Sequence, residues 1–213
     1  MIFTKERTMK AKWMKWGLLA VMSTTILAAC QSQPRNEADT VSGASIKTPR
    51  EIIKSPVKKT DFLLGTAVAL SVYHPNTEEV ITNALEMIKD LEKRITVNAS
   101  GSEVDEVNLA AGEKPVKVSA DVYELIKLGL KYSEEFDGAF DITVGPLTAL
   151  WHIGFDDAKK PTQEEIDAVL PLVNYKDVEL NDAEQTVFLK KKGMQLDLGG
   201  IAKGYIADKV WEY

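Results

Sequence analysis

The stretch Gln195-Leu-Asp-Leu-Gly-Gly-Ile-Ala-Lys-Gly-Tyr205 decides the fold, because strand, turn and helix signals follow one another within it. Apolar and polar residues alternate from Met194 to Leu198 as in a half-buried strand. Gly199-Gly200 permits a tight turn, and from there Ile201, Tyr205 and Val210 fall at helical spacing. The first-turn N–H groups of a helix lack intrahelical acceptors and carry the positive end of its macrodipole, so such a joint suits an anion. Lys203 sharpens this: a cation near that end opposes the macrodipole by about 0.3–1 kcal/mol, and a phosphate removes the conflict. Asp197 supplies a carboxylate that can accept from a ligand N–H or help place a hard cation, with glycine carbonyls as further oxygen ligands. Equally, Asp197 reads as a helix cap and Lys203 as a solvated side chain. The spacing matches neither G-x-G-x-x-G nor G-x-x-x-x-G-K-[ST], so generic dinucleotide and P-loop sites are excluded.

Upstream residues read as the support of this joint. Asp61 to Tyr73 predicts one or two strands around Gly65, ended by His74-Pro75-Asn76. Ile81, Ala84, Leu85, Ile88, Leu91 and Ile95 predict a helix capped by Asn76 or Thr77, with acidic residues first and basic residues last. Val97 to Lys114 reads as a polar loop holding a short helix near Glu103–Asn108 behind Ser102. A further helix follows Ser119, buries Val122, Leu125, Ile126, Leu130 and Phe136, and ends with Gly138 at C′. Pro161-Thr-Gln-Glu-Glu165 is a capping box whose helix is expected to bury Ile166, Val169, Leu170 and Val173. Tyr175–Leu180 and Thr186–Leu189 read as a hairpin feeding the Met194–Leu198 strand. The expected fold class is α+β, with a mainly antiparallel sheet and packed helices.

The amino terminus reads as an address. Lys5, Arg7, Lys10, Lys12 and Lys15 precede an apolar run from Trp16 to Ala29 and the sequence Leu27-Ala-Ala-Cys30. The run is shorter than the roughly 20 residues of a membrane span, and predicts a signal peptide over 1–29. The small residues before Cys30 resemble the bacterial lipobox, so Cys30 is the expected lipidation site, on the extracytoplasmic face of the cell membrane. As the sole cysteine, Cys30 forms no intramolecular disulfide. Residues 30–59 read as a flexible tether and 60–213 as one domain. Five basic and one acidic side chain in residues 1–29 leave −10 on the remainder of a chain whose total is −6. That surface excludes nucleic acid as a partner and further polybasic attachment to lipid.

Phe136-Asp-Gly-Ala-Phe-Asp-Ile-Thr-Val-Gly-Pro-Leu147 and Leu150-Trp-His-Ile-Gly-Phe155 show no steady helical or strand period. Their glycines, aromatics and carboxylates suit a flat ligand, or equally a core loop packed on Phe140 and Trp151. His74 and His152 read as solvated or structural rather than as a zinc ligand or general base.

Phe140-Asp-Ile-Thr-Val-Gly-Pro-Leu147 and Leu196-Asp-Leu-Gly-Gly-Ile-Ala-Lys-Gly-Tyr205, in this order behind a lipobox, resemble the ApbE family of FAD:protein FMN transferases. Leu64-Gly-Thr66 resembles that family's Met-Gly-Thr start, and Ser102-Glu-Val-Asp-Glu-Val-Asn108 its Ser-Glu-Ile/Leu-x-x-x-Asn loop. The resemblance implies an ApbE-like, T-fold-like domain. It also implies a Mg²⁺-dependent transfer of FMN from FAD to a Thr or Ser hydroxyl of a redox protein, with release of AMP. By position it carries FAD contacts onto Leu64, Asn98, Ala139, Phe140, Asp141, Asp197 and Lys203. It further implies Asp197 and Lys203 as the catalytic pair, and the Gly200 carbonyl as a Mg²⁺ ligand. Leu64 stands where Met is usual, and Asn98 where an aromatic is common. The family's later His-x-x-Asp-Pro-x-x-Gly-like stretch and its late Asp and Thr have no counterpart here. The chain therefore reads as the N-terminal part of such a domain, expected not to transfer FMN alone. The alternative is a lipoprotein that binds FAD without transferring FMN.

Overall fold

A computed structural model describes residues 52–75 and 77–213. The signal peptide, Cys30, most of the tether and the Asn76 cap lie outside the described residues. β1 (Val57–Leu63) and β2 (Thr66–Val72) form an antiparallel hairpin, paired from Val57↔Val72 to Leu63↔Thr66. Leu64 (φ 55°) and Gly65 (φ 66°) turn it, two successive positive φ values that match the right-handed twist of the strands. Leucine is an uncommon choice there, and Glu92 Oε1 holds its N–H at 2.8 Å. Strand already begins at Val57, so the tether expected through residue 59 stops short of it.

α1 (Thr77–Ile95) buries all six of its predicted stripe residues. Each isoleucine or leucine so buried contributes about 1.5–3 kcal/mol. Thr77 does not cap with its side chain; its hydroxyl donates to the His74 carbonyl. α2 (Glu103–Leu109) starts behind Ser102, whose Oγ accepts the Asp105 N–H at 2.9 Å, and it buries Val104 and Val107. β3 (Val116–Lys117) leads into α3 (Ala120–Glu135), which buries Val122, Leu125 and Ile126. Phe136 is not in that stripe: it is 56% exposed at the C-cap. Behind it Asp137 (φ 48°) occupies C′ and Gly138 (φ 77°) C″, with N–H bonds to Glu134 and Ser133 carbonyls. This Schellman ending puts the predicted glycine one residue later than expected. Ser119 sits at the N-cap, but its hydroxyl turns to Glu103 and Asp121 instead of α3's amides.

α4 (Gly145–Trp151) was not visible as a period, since two turns beginning with Gly-Pro are too short to show one. α5 (Gln163–Val169) has the predicted capping box of Thr162 and Glu165. None of its residues is buried, and Ile166, Val169, Leu170 and Val173 are only half-covered or exposed. β4 (Val178–Asn181) and β5 (Thr186–Leu189) make the predicted hairpin, and β5 also pairs with β3, giving an antiparallel sheet ordered β3-β5-β4. The α+β class is as expected, with the strands in two antiparallel sheets rather than one. α6 (Gly199–Glu212) closes the described chain, burying Ala202, Tyr205 and Ile206.

Met194 to Leu198 is extended but is not a strand of either sheet. Its burial alternates as predicted, with Met194, Leu196 and Leu198 inside. One edge meets residues 142–145 in a single parallel bridge, Val144↔Gln195, with Gly145 N to Gln195 O at 3.2 Å and Asp197 N to Ile142 O at 2.8 Å. The other edge meets one side chain. Asn108 Nδ2 donates to Leu196 O (3.1 Å), and Leu196 N donates to Asn108 Oδ1 (2.7 Å).

Candidate functional site

The amino end of α6 carries the densest set of the sequence-predicted residues. Gly199 and Gly200 are the first residues of the helix itself rather than a turn before it. A Cβ on Gly200 would lie 3.2 Å from Phe140 Cε2, and one on Gly199 3.1 Å from Asp197 Oδ1. Glycine thus lets the Phe140 ring and the Asp197 carboxylate close on the helix end. Leu198, at the N-cap, offers no side-chain acceptor. Asp197 takes over: its Oδ1 accepts the Gly199 N–H at 2.9 Å, and its Oδ2 accepts from Thr148 Oγ1 at 2.9 Å. Gly200 is exposed, and no described residue accepts its N–H. That amide, at the positive end of α6, is open to an anion.

Lys203 lies four residues after Gly199, on the same side of α6, and is exposed. It shares a cavity of about 200 Å³ with Leu64, Glu92, Asn98, Asp197 and Gly199. Four residues read from the sequence as FAD contacts therefore meet in one space, although Leu64 and Lys203 lie far apart in the chain. The hairpin tip supplies Leu64, α6 supplies Lys203, and the loop after α1 supplies Asn98.

Ala139, Phe140 and Asp141 divide differently. Ala139 is exposed, Phe140 packs half-buried against the core and over Gly200, and Asp141 faces inward. Asp141 Oδ1 accepts from Thr143 N (2.8 Å) and Thr143 Oγ1 (2.7 Å), and Oδ2 from Tyr175 N (2.9 Å). Buried Thr143 Oγ1 in turn accepts the Asn174 N–H at 2.8 Å. The Asp141 carboxylate thus pins the 141–145 loop to residues 174–175. Gly145 then crosses Gln195 so closely that a Cβ would stand 2.6 Å from the Gln195 carbonyl oxygen.

A second cleft of about 680 Å³ opens on the other side of Asp197, between α2 and α4. Leu109, Trp151, Ile153 and Phe155 give it an apolar wall, and Asn98, Asn108, Thr148 and Asp197 give it polar groups. Asn98 and Asp197 line both spaces. His152 also lines the cleft. Its Nδ1 lies 2.6 Å from Asp157 Oδ1, and its ring stacks on Phe155 at 4.0 Å between centroids. Sequence reasoning missed Glu92 and Thr148, whose only signal is contact across the fold.

Behind the site, α6 is tied to α3. Tyr205 OH lies 2.7 Å from Glu124 Oε2 and 3.1 Å from the Asp121 carbonyl, and burial pushes its phenol up. Lys209 pairs with Glu124 at 3.0 Å. Arg94 of α1 donates to both Asp121 oxygens and holds that carboxyl down at about 2, against a desolvation cost.

Magnesium asks for about six oxygens in near-octahedral order. Both Asp197 oxygens are engaged, and the Gly200 carbonyl points along α6 toward its C-terminal end, as helix carbonyls do. No group of three His, Cys, Asp or Glu suited to an ion occurs among the described residues. The residues present do not make up a magnesium site, and none of the chemistry assigned to them runs through the ion.

In this α+β domain the amino end of α6, Lys203 and Asp197 border one cavity, an arrangement that suits an anionic ligand. The family model of the ApbE family matches residues 64–213, and the chain belongs to that family. It is 41% identical over 151 residues to the FAD:protein FMN transferase of Klebsiella pneumoniae (strain 342), covering 71% of this chain and 48% of that protein. Identity to the FAD:protein FMN transferase of Treponema pallidum (strain Nichols) is 33% over 165 residues, covering 71% and 44%. The crystal structure of the ApbE protein of Thermotoga maritima superposes with a TM-score of 0.70 at 33% identity, over 74% of this chain and 52% of that one. The chain spans about half the length of the curated relatives it matches.

Proposed function

We propose that this chain supplies the flavin-binding part of an FAD:protein FMN transferase. The reading rests on one observation above others: Leu64, Asn98, Asp197 and Lys203 line one cavity at the amino end of α6. In the reaction, a Thr or Ser hydroxyl oxygen of an acceptor redox protein bonds to the FMN phosphorus. The bond from that phosphorus to the bridging oxygen breaks, AMP leaves with that oxygen, and the hydroxyl proton is released. Such a transfer needs negative charge balanced on the phosphate oxygens. Lys203 and the α6 amides would supply that balance, while Asp197 orients the ligand and Phe140 covers it. Dependence on Mg²⁺ belongs to the proposal through the family resemblance alone. So does attachment to the outer face of the cell membrane by a lipid on Cys30. Mass spectrometry of the membrane fraction checks that lipid: an unmodified mature N-terminus elsewhere than Cys30 removes the anchor from the account.

The incomplete magnesium donor set favours a second reading for these residues on their own, FAD binding without transfer. One experiment separates the readings. The full chain is titrated with FAD by flavin fluorescence, then incubated with FAD, Mg²⁺ and a Thr-containing acceptor. AMP together with an acceptor heavier by FMN supports the transferase. Saturable binding without AMP supports the second reading, and absence of saturable binding contradicts both.

A further inference from the structure

We infer that Asn108 is a positioning residue: its side-chain amide takes the place of a neighbouring strand on Leu196 and thereby sets where Asp197 stands between the two cavities. The inference rests on the flavin reading of Asp197 for its functional consequence, and on hydrogen bonds alone for its structural one.

Along an extended chain, successive residues turn their N–H and C=O to opposite edges. Gln195 turns its carbonyl, and Asp197 its N–H, to residues 142–145. Leu196 turns its own to α2, where both groups meet Asn108, at 2.7 and 3.1 Å. Leu196 is fully buried, so in the folded chain that amide, not water, satisfies its backbone groups. The two contacts also dictate the side chain. One group must accept an N–H and donate to a carbonyl, which a primary amide does and a carboxylate does not. The clamp has a firm base: α2 is held by buried Val104 and Val107, and by Ser102, which caps it while donating to the Thr96 carbonyl at 2.5 Å.

Asp197 follows directly. Its carboxylate must meet the Gly199 N–H and the Thr148 hydroxyl together, each at 2.9 Å, and a shift of Leu196 would break that alignment. Asn108 itself lines the 680 Å³ cleft. It thus ties the geometry of one cavity to that of the other.

The test is Asn108→Asp in the full chain, which keeps shape and acceptor but sets a carboxylate oxygen against the Leu196 carbonyl. The Leu196 carbonyl facing it pushes the new carboxyl up from the ordinary value of about 3.9, and protonation restores a donor, so the defect should reverse in acid. At about pH 8 the variant should bind FAD about tenfold more weakly than the unmodified chain, and at about pH 5 it should come within about threefold. Protection of the Leu196 amide from hydrogen exchange, taken as a ratio to the unmodified chain at each pH, should fall and recover in parallel. Equal affinity and protection at both pH values overturn the inference, as does a loss that acid does not reverse. If the unmodified chain binds no FAD, the flavin reading fails, and the exchange ratios alone decide the clamp. If the variant does not fold, the unmodified chain decides: Leu196 should be protected to the same order as Asp197, and rapid exchange at Leu196 alone overturns the inference.

Discussion

Two aspartates, Asp121 and Asp197, stand at opposite ends of the contacts that hold α6, and they use their charge in opposite ways. Asp121 is spent inside the fold. Arg94 donates to both of its oxygens, Ser119 Oγ and Val122 N add further bonds, and the carboxyl is held down at about 2. Asp197 meets no cation among the described residues; an amide and a hydroxyl satisfy its oxygens, and it borders both cavities. Lys203, across the smaller cavity, forms no ion pair among the described residues. The difference separates support from site: charge that is paired within the protein stabilises it, whereas charge left unpaired around an open helix end is available to a ligand.

The comparison breaks most severely at the crossing that supports Asp197. Gly145→Ala puts a Cβ against the Gln195 backbone at 2.6 Å, which no side-chain movement relieves. The expected cost is about 2–4 kcal/mol with loss of FAD binding, read from urea unfolding beside a flavin titration. Asp121→Ala comes next. It leaves half-buried Arg94 with Asp90 and distant Glu103, and should cost about 1–3 kcal/mol while changing FAD affinity little at temperatures where the chain stays folded.

Acid sharpens the contrast without mutation. The Asp121 carboxyl is depressed in the folded protein, so its stabilisation is fully present above about pH 4 and is lost as pH falls toward about 2. Allowing for its partial exposure, about 1–2 kcal/mol should disappear over that window, and Asp121→Asn should flatten this part of the stability curve. Phe136→Ser should do least. The ring is 56% exposed at the C-cap, and the melting temperature should move by no more than about 0.5 kcal/mol of stability implies.

What the sequence disclosed follows from how local each signal is. The stripe of α1, the Thr162–Glu165 capping box and the β4–β5 hairpin depend on neighbours in the chain, and each is present, although the first hairpin strand starts at Val178 because Tyr175–Asp177 forms a 3-10 turn. The Met194–Leu198 segment kept its alternation but lost its strand, because its partners are a single bridge and the Asn108 side chain, 88 residues away. Phe136 sat at helical spacing past the point where the Schellman ending turns the chain outward. In the site, motif resemblance named Leu64, Asn98, Asp197 and Lys203 together, and they share a cavity. It also named Asp141, whose carboxylate ties two loops together outside that cavity's lining, and it gave no sign of Glu92 or Thr148. Motifs mark positions; only the folded chain shows which of them share a cavity.

The most direct test of the central claim is the affinity of Lys203→Ala for FAD, measured beside its melting curve. Lys203 is exposed and near the positive end of α6, so its removal should leave the melting temperature unchanged or slightly raised. FAD affinity should fall about tenfold, the loss of one charge-assisted contact to phosphate. Unchanged affinity, or a loss matched by an equal fall in stability, would contradict the assignment of the α6 amino end as the place where the flavin nucleotide binds.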